Sequence, residues 1–350
     1  MEKNSLKLLT ISTRETILDA LRHLNSLPSG TARTLVAVDS DGRVAGTVTD
    51  GDLRRAMLGG ALLDTPVADA MHRQFESISS GHPDILKIKQ LRERGIRIIP
   101  VTTPDGLLAD IIDTDETVNR LPLSAILMAG GKGERLRPLT LTTPKPLLKV
   151  GDKAIIDYNI NALRRVGVSD ISVTVNYMAE KLEEHFEGTV VRTVREPFAM
   201  GTIGSASLCD LPAEGDTMVM NADLLTTLSI EDLYLHHLDT GAAVTIAAIP
   251  YNISVPYAIL TTDGQCVKGL EEKPSYSYYA NAGIYIFSNR LLSTLQKSER
   301  TDATDLIERA IVNGLKVTYF PISGTWIDIG SPTDYAHACE LMRHLERYNL

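Results

Sequence analysis

The chain is short of cysteine, of long apolar runs and of positive charge, and each shortage excludes a class of protein. Its three cysteines, Cys209, Cys266 and Cys339, stand far apart and form no Cys-x-x-Cys pair. They read as reduced thiols rather than a disulfide framework or zinc ligands. No stretch approaches the roughly 18 apolar residues of a bilayer span. The N-terminus MEKNSLKLLT lacks the apolar core and cleavage site of a secretion signal. Lys and Arg number 35 against 44 Asp and Glu, a net charge of -9. That balance argues against a nucleic-acid partner, because such binding rests on neutralising phosphates. The expectation is a soluble cytoplasmic protein with neither a membrane nor a nucleic-acid partner. With 350 residues, 43% of them apolar, there is material for two or three packed domains.

The most informative stretch is Ala125 to Val150, AILMAGGKGERLRPLTLTTPKPLLKV. It reads as a buried strand (Ala125 to Met128), a glycine loop (Gly130, Gly131, Gly133), Arg135, and then Pro144-Lys145-Pro146. A strand that opens into a glycine loop lets backbone N–H groups approach phosphates closely, and here fixed cations follow at once. Two phosphate loops are excluded by spelling. No Lys-Ser or Lys-Thr follows a glycine at Walker spacing. In Gly131-Lys132-Gly133-Glu134-Arg135-Leu136, leucine occupies the third glycine position of a Rossmann fingerprint.

What remains resembles the sugar-1-phosphate nucleotidyltransferases (NDP-sugar pyrophosphorylases), whose motif runs roughly L-A-G-G-x-G-T-R-L-x-P-L-T and then P-K-P-L. The bland alternative is an ordinary glycine turn after a core strand. The resemblance implies nucleotide contacts from Ala129, Gly130, Gly131 and Gly133, and catalytic roles for Arg135 and Lys145. Glu134 stands where the family usually has threonine. An acid beside a triphosphate is unfavourable unless it points away or faces a metal.

Further along, β-rich apolar runs (125–128, 171–175, 218–220, 243–248, 284–287) alternate with helical patterns (155–166, 179–186, 202–208, 230–237, 302–313). Such alternation implies an α/β, Rossmann-like fold with a mostly parallel sheet and ligands beyond the carboxyl ends of its strands. No hexapeptide repeat follows, so no β-helical extension is expected. Asn221-Ala222-Asp223 comes directly after Met218-Val219-Met220. An aspartate just past a central strand is either a metal ligand or a helix N-cap. Trp326-Ile327-Asp328-Ile329-Gly330-Ser331-Pro332 resembles the family's W-x-D-I-G-T-P, which implies that Asp328 joins Asp223 on Mg2+. Magnesium takes one or two carboxylates together with substrate phosphate oxygens. Glu271-Glu272-Lys273-Pro274 and Asn281-Ala282-Gly283-Ile284-Tyr285 resemble the family's E-K-P and N-x-G-I-Y. The resemblance implies sugar contacts from Glu272, Asn281 and Gly283, and a sugar-phosphate contact from Lys273. Tyr276, Tyr278 and Tyr279 lie between these motifs, either as a sugar-facing wall or as a solvated loop.

Arg195-Glu196-Pro197-Phe198-Ala199-Met200-Gly201-Thr202 resembles the family's nucleoside loop, E-x-x-P-L-G-T-A-G, and adds Glu196, Gly201 and Thr202 to the nucleotide contacts. Guanine offers N1–H and N2–H side by side, which one carboxylate accepts together; uracil and thymine offer one donor flanked by acceptors. Glu196 therefore favours GTP, the alternative being a surface ion pair with Arg195. The implied reaction is attack of a sugar 1-phosphate oxygen on the α-phosphorus of the triphosphate. Two rivals stay open: a non-catalytic nucleotide-sugar sensor, and a transferase acting on another phosphomonoester such as phosphocholine.

The first third of the chain repeats itself. Thr10–Asp52 and Ser77–Glu116 each show a short strand, an amphipathic helix and a hairpin around Asp41-Gly42 or Asp105-Gly106. This repeat resembles a tandem pair of CBS motifs, β-α-β units that enclose an adenosine-type ligand. Gly46-Thr47-Val48-Thr49-Asp50-Gly51-Asp52 fits the family's G-h-x-h-T-x-x-D, implying that Thr49 and Asp52 contact a regulatory nucleotide. The second copy has Asp110, Asp113 and Glu116 at the three motif positions, and Asp113 would repel a phosphate. The pair is either a nucleotide sensor or only a packing module. The expected division is a CBS pair at 1–121 (copies about 8–71 and 72–120) and a nucleotidyltransferase domain at 122–350 ending in a helix. The whole architecture resembles CBS-linked guanylyltransferases acting on amino-sugar 1-phosphates for glycan or nonulosonic acid synthesis, and a homo-oligomer is expected.

Overall fold

Residues 3–81 and 84–347 are described by a computed structural model of the chain. They divide into two compact units: residues 1–122 with Arg164–Gly167, and Leu123–Leu163 with Val168–Leu350.

The first unit is built twice from one plan. In the first copy Thr10–Ser12 runs parallel to Thr34–Val38, which pairs antiparallel with Val44–Thr49. In the second, Ile78–Ser79, Ile98–Thr102 and Leu108–Asp113 repeat that order and those directions. Each copy lays one helix on its sheet. Helix Ile17–Ser26 buries Ile17, Ala20 and Leu24, and helix Ile85–Glu93 buries Ile85, Ile88 and Leu91, the spacing of one helical face. Both hairpin turns place glycine at φ 81°, at Gly42 and at Gly106, a region open to glycine at little cost. The turns also bond to each other. Val44 N–H donates to Gly106 C=O at 3.0 Å, and Leu108 N–H donates to Gly42 C=O at 3.0 Å.

The copies differ after their last strand. Val44–Thr49 leads into helix Asp50–Leu58, capped by Thr49 and Asp52 in a reciprocal box. After Leu108–Asp113 the chain turns instead. The Asp113 carboxylate accepts the Asp115 N–H at 3.0 Å, and burial pushes this carboxyl above its usual range.

In the second unit a seven-stranded sheet has the order Arg192–Arg195, Asp170–Val175, Leu123–Met128, Asp216–Asn221, Ser275–Ser288, Val244–Ser254, Val317–Pro321. Only Ser275–Ser288 runs antiparallel to its neighbours. The inner strand Leu123–Met128 is apolar but for Ser124 and almost wholly buried, as a strand covered on both faces requires. Phe287, Ile126 and Val219 meet helix Ala303–Val312 in one core cluster. The final helix runs Pro332–Arg347; the expected last turn to Leu350 falls outside the described residues.

Three expected elements change. Strands 243–248 and 284–287 extend to Val244–Ser254 and Ser275–Ser288. Their added halves are exposed and rich in tyrosine and serine, and they pair with each other from Ala248–Asn281 to Ser254–Ser275. Backbone pairing carries them where no apolar alternation signals a strand. The helix expected at 202–208 shrinks to a 3-10 segment, Gly204–Leu208. The N–H groups of Ile203 and Gly204 both bond to Thr301 C=O, at 3.2 and 3.1 Å; as donors of the first turn they have no acceptor within the segment itself.

Candidate active site

Strands Leu123–Met128 and Asp216–Asn221 are parallel neighbours in the register Met128 to Asn221. Their following loops therefore open at the same edge of the sheet. One loop carries the glycines after Ala129, and the other carries Asp223. A short strand, Leu224–Thr226, leaves Asp223 and pairs antiparallel with Trp326–Asp328, with Leu224 opposite Asp328. This register brings two aspartates distant in sequence side by side.

Lys145 completes the group. It opens the 3-10 turn Lys145–Leu147, flanked by Pro144 before it and Pro146 after it, and its side chain is 11% exposed. Its ammonium lies 3.1 Å from Asp328 Oδ1 and forms an ion pair with Asp223 Oδ2. Burial pushes the Asp223 carboxyl up from its usual range; Lys145 opposes that shift and Asp328 adds to it. Two carboxylates sharing one ammonium keep one negative charge in excess, whereas a divalent ion set against the pair would match both. Among the described residues no cluster of three or more acidic, histidine or cysteine side chains forms a metal site. The protein thus offers a two-carboxylate donor set, which fits magnesium only when substrate oxygens supply further ligands.

Arg135 lies beside Gly330. A Cβ at Gly330 would sit 3.1 Å from Arg135 Nη2 and 3.3 Å from Asp328 Oδ2, so this glycine leaves room for the guanidinium. Gly133 adopts φ 59°, and a Cβ there would fall 2.9 Å from Thr140 and 3.2 Å from the Lys145 Cβ. Its place is beneath Lys145; it is outside the cavity wall, unlike Ala129, Gly130 and Gly131. Glu134 is exposed, 3.5 Å from Arg137, and does not line the cavity either.

That cavity, of about 390 Å3, also takes in Glu196, Gly201 and Thr202. Glu196 is buried, and its Oε2 accepts the Met200 N–H at 3.3 Å. Burial pushes its carboxyl above the usual range, against the pull of that hydrogen bond. A Cβ at Gly130 would lie 2.9 Å from Glu196 Oε1, so the glycine loop and Glu196 close on one another. Arg195 points elsewhere and pairs with Glu180 at 2.9 Å and Glu183 at 2.6 Å. The alternative of an ion pair between Arg195 and Glu196 is not seen.

The expected sugar residues are brought together only in part. Glu272 and Lys273 are exposed in the turn before Ser275–Ser288 and do not line the cavity; Lys273 takes φ 46°. Tyr276, Tyr278 and Tyr279 are likewise exposed and outside it. Asn281 Oδ1 accepts the Gly283 N–H at 2.9 Å, and Trp326 Nε1 donates to Ala282 C=O at 3.0 Å. A Cβ at Gly283 would strike Asn221 Nδ2 at 2.4 Å. Asn221 does line the cavity, so the asparagine–glycine motif reaches the site through it. Asn221, Arg300 and Asp302 are cavity residues that the sequence reading did not assign. The first sits within the noticed Asn-Ala-Asp triplet. The other two lie in a stretch whose local signal is a helix cap, the box between Asp302 and Asp305.

In the first unit, Thr49 lines a separate cavity of about 350 Å3 with Arg33, His72, Arg94 and Arg97. Asp52 does not line it. Its Oδ2 accepts from the Thr49 N–H and hydroxyl at 2.8 and 2.6 Å, and its Oδ1 takes Arg55 at 2.6 Å. Burial works against the Asp52 charge, but these bonds outweigh it and hold the carboxyl below its usual range.

Residues 4–59 match the CBS domain model, and residues 124–344 match the model described as Nucleotidyl transferase. The mannose-1-phosphate guanyltransferase of Schizosaccharomyces pombe is 31% identical over 229 residues, 61% of this chain and 62% of that protein. The mannose-1-phosphate guanylyltransferase catalytic subunit beta of Dictyostelium discoideum is 29% identical, covering 61% of this chain and 62% of its own length. The chain spans about three fifths of the length of the curated relatives it matches. A crystal structure from Bacillus anthracis, named as a "Putative Glucose-1-Phosphate Thymidylyltransferase" in complex with a sucrose, superposes with a TM-score of 0.51. At 24% identity over 63% of this chain and 95% of that one, the likeness is one of fold. The family model spans well over half of the sequence, from the strand ahead of the glycine loop to the last helix, and the chain belongs to the nucleotidyl transferase family.

Proposed function

We propose that this chain transfers a nucleoside monophosphate from a nucleoside triphosphate to a sugar 1-phosphate, releasing pyrophosphate. One observation carries the reading: Lys145 held between Asp223 and Asp328 in the cavity that the glycine loop and Glu196 also line. A phosphate oxygen of the sugar attacks the α-phosphorus. The bond from the α-phosphorus to the bridging oxygen breaks, and pyrophosphate leaves with its electron pair. The nucleophile is already an anion, so no covalent enzyme intermediate is needed. The work is positioning and charge neutralisation.

In this scheme Arg135 holds the leaving phosphates, and Lys145 turns from the two carboxylates toward the α-phosphate. Lys273 would take the sugar phosphate and Glu272 the sugar, both from the exposed turn outside the cavity, with Asn281 and Gly283 facing the sugar. Asp223 and Asp328 would hold Mg2+, which when bound neutralises and polarises phosphate oxygens. Glu196 accepts guanine N1–H and N2–H, making GTP the donor. The names of the relatives, mannose-1-phosphate guanylyltransferases, favour the same base. For the acceptor, the CBS-linked architecture favours an amino-sugar 1-phosphate and a product used in glycan or nonulosonic acid synthesis. The N-terminal repeat would bind a regulatory nucleotide in a cytoplasmic homo-oligomer.

The test is a matrix assay of GTP, UTP, dTTP, CTP and ATP against hexose and hexosamine 1-phosphates, read by pyrophosphate release. GTP with one sugar 1-phosphate should stand above all other pairs. Pyrophosphate release with phosphocholine but with no sugar phosphate would overturn the acceptor class.

A further inference from the structure

The cavity has two chemically distinct ends. At one, Arg135, Lys145, Asp223 and Asp328 gather around fixed charge. At the other, Glu196 is joined through a single residue to a segment outside the motifs. Met200 donates its N–H to Glu196 Oε2 at 3.3 Å, and its carbonyl accepts the Thr301 N–H at 2.9 Å. Asp302 then ties this segment to the loop, since its Oδ1 accepts the Thr202 N–H at 3.0 Å. The approach is close enough that a Cβ at Gly201 would strike Thr301 C=O at 2.4 Å and Asp302 Oδ1 at 2.8 Å.

The second oxygen of Asp302 holds Arg300, at 3.0 Å from Nη2. Arg300 lines the cavity, and its side chain is 66% exposed. A guanidinium is thus tethered by a carboxylate at the Glu196 end of the cavity, apart from the cations grouped around the two aspartates. We propose that Arg300 is a second base-reading residue, pairing with the O6/N7 edge of guanine while Glu196 takes N1–H and N2–H. The proposal rests on the assignment of Glu196 as the base acceptor.

The chemistry favours guanine over every other base. Guanine presents two donors on one edge and the acceptors O6 and N7 on the adjoining one, and arginine's fork fits that acceptor pair. Adenine places an amino donor where O6 would be, and uracil has no N7. Asp302 is the positioning residue: it fixes the direction of Arg300 relative to the loop that holds Glu196.

The experiment measures kcat/KM on the full chain with GTP, 7-deaza-GTP, ITP and UTP, before and after Arg300→Ala and Arg300→Lys. 7-Deaza-GTP lacks only the N7 acceptor, and ITP lacks only the 2-amino donors. The unmodified chain should lose about 5-fold or more with 7-deaza-GTP. Arg300→Ala should lose roughly 5- to 150-fold with GTP and no longer distinguish GTP from 7-deaza-GTP. Arg300→Lys should not restore that distinction, because an ammonium lacks the fork.

Equal use of GTP and 7-deaza-GTP by the unmodified chain would overturn the proposal, and this comparison needs no variant to fold. Full recovery with lysine would make Arg300 a counter-ion of the triphosphate and overturn it too. ITP separates the two assignments. A penalty with ITP but none with 7-deaza-GTP removes Arg300 and leaves Glu196, whereas a penalty with neither, or a preference for UTP, removes both.

Discussion

The Lys145 ammonium lies 3.1 Å from Asp328 Oδ1 while also pairing with Asp223. It therefore stands where a divalent cation bound by the same two carboxylates would stand. An ammonium in that place offsets the repulsion between the acids, and the same two carboxylates would hold a divalent ion.

Removing the lysine should thus have two separable effects. Lys145→Ala should lower kcat more than it raises KM for the nucleotide, because the charge matters most as the α-phosphate reacts. It should also destabilise the fold by about 1–3 kcal/mol, less than for a fully buried pair because Asp328 is one-third exposed. Thermal unfolding should show a larger stabilisation by added Mg2+ in the variant than in the parent. Equal Mg2+ responses would separate the lysine from the metal position.

The carboxylates themselves should be indispensable. If they hold the proposed metal, Asp223→Asn and Asp328→Asn should each reduce turnover by about 100-fold or more while the fold survives, since each would lose a charged ligand. EDTA should abolish activity, and excess Mg2+ should restore it. Near-normal turnover in either variant would remove that residue from the metal site.

Gly283 is held at φ 70° with Asn221 Nδ2 only 2.4 Å from where a Cβ would stand. Gly283→Ala should cost about 1–3 kcal/mol of stability from backbone strain. It should also reduce kcat/KM at least 10-fold by displacing Asn221 into the cavity. Adding Asn221→Ala should recover stability in part but not activity. Full recovery of both would make Asn221 a spectator.

In the N-terminal unit, Asp52 should act first as a helix cap. Asp52→Ala should destabilise by about 1 kcal/mol at neutral pH, the usual worth of a cap. The folded carboxyl is held below its unfolded range, so its contribution is present above the unfolded value, about 4, and is lost as pH falls through the folded one. Denaturant midpoints of parent and Asp52→Asn should converge on acidification. A gap that widens at low pH would contradict the assignment.

Burial pushes the Cys209 thiol up to about 11, whereas Cys266 is exposed on a hairpin. Iodoacetamide at pH 7.5 should modify Cys266 first and Cys209 at least about 100-fold more slowly, because only the thiolate reacts. Peptide mapping over a time course reads the order directly.

Local signals were legible wherever one segment carries its own reason to fold. The buried strand before the glycine loop, the amphipathic helices and the paired Asp-Gly hairpins are of this kind. Each depends on residues within a few positions of one another. The long hairpin of Val244–Ser254 with Ser275–Ser288 was read short, because its outer half is held by partner strands rather than by an apolar face. The helical pattern at 202–208 forms only a 3-10 segment, Gly204–Leu208, and its first N–H groups are satisfied by Thr301 C=O, about a hundred residues on. Thr49 and Asp52 carried two meanings at once, a ligand motif and a helix cap, and the spacing of the letters is the same for both.

In the sequence itself, short-range periodicity, turn chemistry and spelling are enough for the family, the glycine loop with its cations, and five of the seven strands of the large sheet; Arg192–Arg195, Val317–Pro321 and helix Asp50–Leu58 stand outside that reading. Only the tertiary structure decided which charges meet. The pairing of Leu224 with Asp328 brings the two aspartates together around Lys145. Chain crossings through Met200 and Thr202 bring Arg300 to the Glu196 end of the cavity. Such meetings come from the register of strands and loops far apart in the chain. Coulomb energy and hydrogen bonding depend on distance in space, and distance along the chain does not report it.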